Sequence, residues 1–162
     1  MARDGSVMGS DSDLPVMQAA ADVLDELQVS RTIDIVSAHR TPDLLYDYAS
    51  RAEDRGYQVI IAGAGGAAHL PGMLASISCL PVIGVPVSAT KLAGQDALLS
   101  IVQMPAGVPV ACVAIDNAKN AGILAAQMIS IADSEVRENL RAFKRALSDS
   151  VMQKAARLNK GN

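Results

Sequence analysis

Short apolar runs alternate with stretches of helical period along this chain. The runs at 7–8, 32–36, 58–63, 81–85 and 109–115 are bounded by Gly, Pro, Ser and Asp, and predict five β-strands. Between them, 14–28 carries Val16, Ala20, Val23, Leu24 and Leu27 at the spacing of one buried helical face. A second helix is predicted from Pro42, with Thr41 as its cap, because proline suits the first helical position. Further helices are predicted near 67, over 95–102 and over 120–132. Strands alternating with helices imply a parallel sheet covered on both faces by right-handed crossovers. No repeat or linker interrupts the pattern, so residues 1–162 read as one doubly wound α/β domain with a core over 6–132. The tail, 134–158, reads as a long helix with Val136, Leu140, Phe143, Leu147 and Val151 on one stripe. Its polar face is either solvated, or its stripe packs on another subunit.

Composition narrows the function classes. Hydrophobic residues make up 50% and charged residues 19%, which places the chain among ordered globular proteins. One Phe, three Tyr and no Trp leave too few aromatic faces to stack the bases of a nucleic-acid strand. The net charge of −3 lacks the basic footprint of a nucleic-acid binder. A mean hydropathy of +0.24 is high for a monomer of this size and predicts apolar surface shared between subunits. The first ten residues, MARDGSVMGS, contain no apolar signal segment. The most apolar run, 59–68, falls far short of the ~20 residues of a membrane span. Cys79 and Cys112 lie in apolar contexts, which predicts buried thiols and a reducing, cytoplasmic setting.

Ligands of open parallel sheets bind beyond the carboxyl ends of the strands, and three of those ends carry unusual residues. The first is MGSDSD, 8–13. Gly9 permits a tight turn, and Ser10 and Ser12 place hydroxyls near a helix N-terminus that favours anions. Asp13 either accepts hydrogen bonds from ribose hydroxyls or caps the helix. The second is VSAHRTPD, 36–43. Arg40 is a fork-shaped donor matched to phosphate or carboxylate, and Ser37 adds a hydroxyl. His39 is one of only two histidines, and the cation beside it disfavours imidazolium. The placement fits a histidine that moves a proton while the arginine holds an anion. A satisfied structural histidine is the plainer alternative.

The third is AGAGGAAHLPGM, 62–73. Gly63, Gly65 and Ala68 match the dinucleotide pattern, but the match follows the third strand and no acidic residue lies about 20 positions on. A nicotinamide cofactor is therefore rejected, and the glycines are read as bringing backbone N–H groups close to a ligand. His69, the other histidine, falls beside this loop. No metal-ligand set, phosphate-loop signature or nucleophile elbow is present.

MGSDSD, VSAHRTPD, VIIAGAGGAAHLPGM, GVPV and SIVQMPAGVPV together closely resemble the bacterial-type N5-carboxyaminoimidazole ribonucleotide mutases of purine biosynthesis, over about 7–132. The resemblance implies a flavodoxin-like three-layer α/β/α fold, a homo-octamer with shared sites, and no metal, ATP or other cofactor. It implies a ribonucleotide substrate held by Ser10, Asp13, Ser37 and Arg40, with His39 as general acid/base. Ala64, Gly65 and Leu70 would line the pocket of the imidazole and the migrating carboxylate, with His69 nearby.

Two departures stand out: ARDGS, where relatives are more apolar, predicts a shortened first strand, and AIDNAKNAG, 114–122, predicts an altered loop with no effect on the chemistry. Two other functions compete. Animal-type relatives carboxylate aminoimidazole ribonucleotide with free CO2 and usually carry lysine after the histidine; Arg40 and the GGAAHLPGM loop favour the mutase. A non-catalytic nucleotide- or flavin-binding module would need only the glycine and serine loops, leaving His39 without a purpose.

Overall fold

The run at Val59–Gly65 is buried along nearly its whole length, which makes it the centre of the sheet. In the computed structural model, which describes the backbone of residues 3–160 and the side chains of 4–158, five parallel strands form one sheet. They are β1 (Arg3–Met8), β2 (Ser30–Ile35), β3 (Val59–Gly65), β4 (Val82–Val87) and β5 (Ala111–Cys112). The order is β2-β1-β3-β4-β5, the flavodoxin-like arrangement, with its switch point between β1 and β3. Alternation along the strands sends Val59, Ile61, Ile83 and Val85 to one face, under α1 (Leu14–Glu26) and α5 (Ala118–Ile129). Ile60, Ala62 and Val82 face the other way, toward α2 (Pro42–Ser50), α3 (Leu70–Ile77) and α4 (Gln95–Val102). Two apolar layers thus fix the sheet, and with it the loops at its carboxyl edge.

The long tail is helical over α6 (Ser134–Lys160), and only its first turns pack on the domain. Val136 and Leu140 are buried, whereas Leu147 is 52% and Val151 64% exposed. The apolar stripe therefore continues past the point where this chain can cover it.

Five sequence expectations are corrected. β5 is two residues long instead of seven, because Pro109 has no N–H for the ladder and Asp116 turns the chain away with φ +58. α3 starts at Leu70 instead of near 67, since Gly66 has φ +65 and breaks the chain first. Thr41 precedes α2 but makes no side-chain cap; its hydroxyl is taken by the Ser37 backbone. Cys79 is exposed and Cys112 half-buried, so the buried-thiol expectation fails for Cys79.

The first strand is not shortened either. It pairs with β2 from Arg3 to Met8 despite its polar residues. Gly5 leaves room for the Tyr48 hydroxyl and the Tyr57 ring, which a Cβ would meet at 2.7 Å and 2.8–2.9 Å. Asp4 and Ser6 are buried and pair with each other, Ser6 Oγ donating to Asp4 Oδ2 at 2.6 Å. Asp4 Oδ1 has no partner among the described residues. Burial pushes the Asp4 carboxyl up to about 7, against the pull of the Ser6 hydrogen bond and the Arg31 charge.

This has a consequence for stability. Unfolded Asp4 ionises near 3.8, so between pH 4 and 7 the folded state holds a proton that the unfolded state has released. Stability from this group is complete below pH 4 and is lost as pH rises through 7. Urea unfolding should therefore read a loss of about 3 kcal/mol between pH 5 and pH 8 from this residue. The variant Asp4→Val should flatten that slope; an unchanged slope would show that the carboxyl ionises freely in the fold.

Candidate active site

β1 and β3 end side by side, with Gly9 N donating to Gly63 O at 3.3 Å, and Val36 N donating to Met8 O at 2.8 Å. The three loops that follow β1, β2 and β3 consequently meet at the switch point. The β2 loop is closed on itself. Ser37 N donates to Thr41 Oγ1 at 3.0 Å, Thr41 Oγ1 donates to Ser37 O at 3.1 Å, and Thr41 N donates to Ser37 O at 2.9 Å. His39 and Arg40 ride on this small ring of hydrogen bonds.

Arg40 then bridges two loops. Its Nε donates to Ser37 Oγ at 3.2 Å and its Nη2 to Gly9 O at 2.9 Å. A guanidinium has five N–H donors, so most remain for a ligand. Ser10, which caps the turn Asp11–Asp13, and Asp13 within it line the same cleft as Arg40. Asp13 makes no side-chain cap to α1, which removes the capping alternative, and it is 4% exposed. Burial raises its carboxyl pKa; a backbone hydrogen bond from Ser10 and the Arg40 charge pull it back down, while Asp11 adds to the rise.

His39 faces His69, which stands at the N-terminal boundary of α3. His39 Nε2 and His69 Nδ1 are 2.7 Å apart, with ring centroids at 4.8 Å and planes at 75°. One of these nitrogens must carry the hydrogen and the other must accept it. The pair thus holds one proton between two rings, an arrangement suited to passing it on. Between these histidines and Arg40 opens a cleft of about 280 Å³.

The nine residues that the family resemblance assigns to the site, Ser10, Asp13, Ser37, His39, Arg40, Ala64, Gly65, His69 and Leu70, all line this cleft, whereas Gly63 and Ala68 do not. Gly65 is required by close packing, since a Cβ there would meet Ala89 Cβ at 2.7 Å and Val87 O at 3.1 Å. The contacting Ala89, and Thr90 beside it, form a further wall of the cleft, two residues that none of the motifs above singles out. The signal was available: the end of β4 lies on the same sheet edge as the other loops. Among the described residues, no group of three or more His, Cys, Asp or Glu is arranged to hold a metal ion.

Comparison with known proteins bears on the family and the fold. A mutase from Thermotoga maritima, named N5-carboxyaminoimidazole ribonucleotide mutase, is 60% identical over 158 residues, covering 98% of this chain and 92% of that protein. A chloroplastic phosphoribosylaminoimidazole carboxylase from Vigna aconitifolia is 55% identical over 156 residues, 96% of this chain but only 28% of that longer one. The crystal structure of Treponema denticola PurE superposes with a TM-score of 0.88 at 26% identity, covering 98% of this chain and 99% of that one. The sequence profile of the AIR carboxylase family matches residues 5–150. On these grounds the chain belongs to the AIR carboxylase family.

Proposed function

We propose that this protein is an isomerase of purine biosynthesis, converting N5-carboxyaminoimidazole ribonucleotide to 4-carboxy-5-aminoimidazole ribonucleotide. The meeting of His39 with the Arg40 anion site in one cleft carries this reading. Support comes from mutases 53–60% identical over nearly the whole chain.

The reaction moves a carboxylate from nitrogen to carbon. First the bond between the exocyclic nitrogen and the carboxyl carbon breaks. Its electron pair stays on nitrogen, which takes a proton from His39, and CO2 is formed. The ring carbon then attacks that CO2 through the electron pair of the enamine, forming the new C–C bond, and His39 removes the proton from that carbon, whose electron pair restores the aromatic ring. One proton is given and one is recovered, so a single imidazole suffices and is reset each turn. Arg40, Ser10, Ser37 and Asp13 hold the ribose phosphate. Ala64, Gly65 and Leu70 enclose the imidazole, and keeping CO2 there makes its capture intramolecular. His69 orients the catalytic ring through their shared hydrogen bond.

The enzyme works as a homo-oligomer, an octamer by its family resemblance. Ile35, Leu44, Tyr46 and the outer half of the α6 stripe are exposed apolar surface that a partner subunit would cover. Sedimentation should give a species several times the 16.8 kDa chain; a monomer at micromolar concentration would refute this. Among the described residues no helix is long and apolar enough to cross a membrane. The exposed free thiol of Cys79 fits a reducing, cytoplasmic setting.

Direct carboxylation is the competing reading, favoured by the similarity to the plant carboxylase. Purified protein should turn over the N5-carboxylated ribonucleotide and leave aminoimidazole ribonucleotide plus bicarbonate far slower. The reverse preference would make it a carboxylase, and activity on neither would favour a binding module.

A further inference from the structure

The loop between β4 and α4 buries no side chain from Ser88 to Ala93, and its apolar contacts with the cleft are limited to Ala89 against Gly65 and Thr90 against Gly66. Ser88, Ala89, Thr90, Lys91, Leu92 and Ala93 are all exposed, yet Ala89 and Thr90 form one wall of the cleft. Hydrogen bonds must therefore set where that wall stands. Two carboxylates outside the cleft supply them. Asp96, at the start of α4, accepts from Thr90 Oγ1 at 2.6 Å. Asp116, in the turn after β5, accepts from Ser88 N at 2.9 Å through Oδ1 and from Ser88 Oγ through Oδ2.

Asp116 itself is placed with effort. Its φ of +58 lies in the left-handed region, which aspartate adopts more readily than most residues but less freely than glycine. Its backbone N donates to Pro86 O at 2.9 Å, so the turn is laced to the end of β4 on both sides of Val87. The carboxylate is thus aimed at the residue where the loop leaves the sheet. Gly94 closes the far end against Ile115, where a Cβ would meet Cγ2 at 2.6 Å.

We propose that Asp116 is a positioning residue: its double hydrogen bond to Ser88 holds the β4–α4 loop over the cleft, so that Ala89 and Thr90 retain CO2 between its release and its recapture. This rests on the mutase reading above. Asp116 is not among the residues that line the cleft, and its carboxylate bonds to Ser88; it acts through the loop. Without the latch, Ser88 to Ala93 can lift away, and CO2 formed at the nitrogen escapes before the ring carbon attacks. The other product of that failure is aminoimidazole ribonucleotide, released with the proton it received.

The test is Asp116→Gly, which keeps the left-handed backbone without strain and removes only the carboxylate. Two quantities are read beside wild type, with spontaneous decarboxylation subtracted from an enzyme-free control. The first is the ratio of aminoimidazole ribonucleotide released to carboxylated product formed, expected to rise about tenfold. The second is hydrogen exchange at the Ser88 amide, expected to quicken about tenfold on loss of one hydrogen bond. Asp116→Asn should restore both, since its amide oxygen can accept from Ser88 N, its NH2 can donate to Ser88 Oγ, and asparagine tolerates the same φ. A merely structural role would lower stability without moving the product ratio. If wild type turns over and the ratio is unchanged in Asp116→Gly, the proposal is overturned, whatever the exchange shows. If wild type forms no product from the N5-carboxylated substrate, the mutase reading itself has failed, and unchanged exchange at Ser88 would then sink the latch as well.

Discussion

His39→Asn should lose turnover by roughly 10³-fold or more while still binding the ribonucleotide, because general acid/base catalysis by a placed side chain contributes on that order. The reaction calls on the imidazole twice, once to give a proton to nitrogen and once to take one from carbon. Asparagine is polar but stops short of the Nε2 position that meets His69, whereas the Ser37–Thr41 hydrogen bonds that shape the loop do not involve residue 39, so the loop should keep its shape. It cannot change protonation state near neutral pH. Calorimetric titration with aminoimidazole ribonucleotide should show affinity within a few-fold of wild type, and single-turnover mixing should show no product. A variant that retains near-normal turnover would remove His39 from the mechanism.

Arg40→Ala should weaken ribonucleotide binding by roughly 3 kcal/mol, about a hundredfold in Kd, as expected for losing one side of a charge-assisted pair in a cleft. The guanidinium also ties the β1 loop to the β2 loop through Gly9 O and Ser37 Oγ, so part of the loss reflects a looser site. Arg40→Lys separates the two contributions. Lysine keeps the charge but has no planar fork, so it should recover part of the affinity and little of the loop bridge. The phosphate lies far from the reacting atoms, and its binding energy orients the ring over His39; kcat should therefore fall together with affinity. Titration of both variants with the ribonucleotide and with its dephosphorylated nucleoside decides the assignment. Equal losses for both ligands would mean that Arg40 does not hold the phosphate.

Much of this was legible in the pattern of residues, for physical reasons that differ by element. β3 and β4 are unbroken apolar runs, and burial on both faces leaves no other reading for them. The cleft residues were visible because an open parallel sheet sends its carboxyl-end loops to one edge, and those loops carry Ser10, Asp13, Ser37, His39, Arg40 and His69.

β1 was misjudged because Asp4 and Ser6 look like loop residues; their mutual hydrogen bond and the space at Gly5 make them strand residues. β5 was drawn too long because periodicity registers apolar character and not the missing N–H of Pro109 or the turn at Asp116. The His39–His69 contact joins positions 30 residues apart, and the Ser88–Asp116 contact joins positions 28 apart. No local spacing encodes either. Exposure of Cys79 escaped for a related reason: its apolar neighbours describe the chain around it, while its own side chain faces solvent.

A crystal structure with bound aminoimidazole ribonucleotide tests the central chemistry most directly. The expected electron density places the phosphate at Arg40 and Ser10, and the exocyclic nitrogen and reactive ring carbon both within about 3.5 Å of a His39 ring nitrogen. A heterocycle bound elsewhere in the cleft, with His39 facing only His69 and both reacting atoms beyond its reach, would contradict the one-imidazole shuttle.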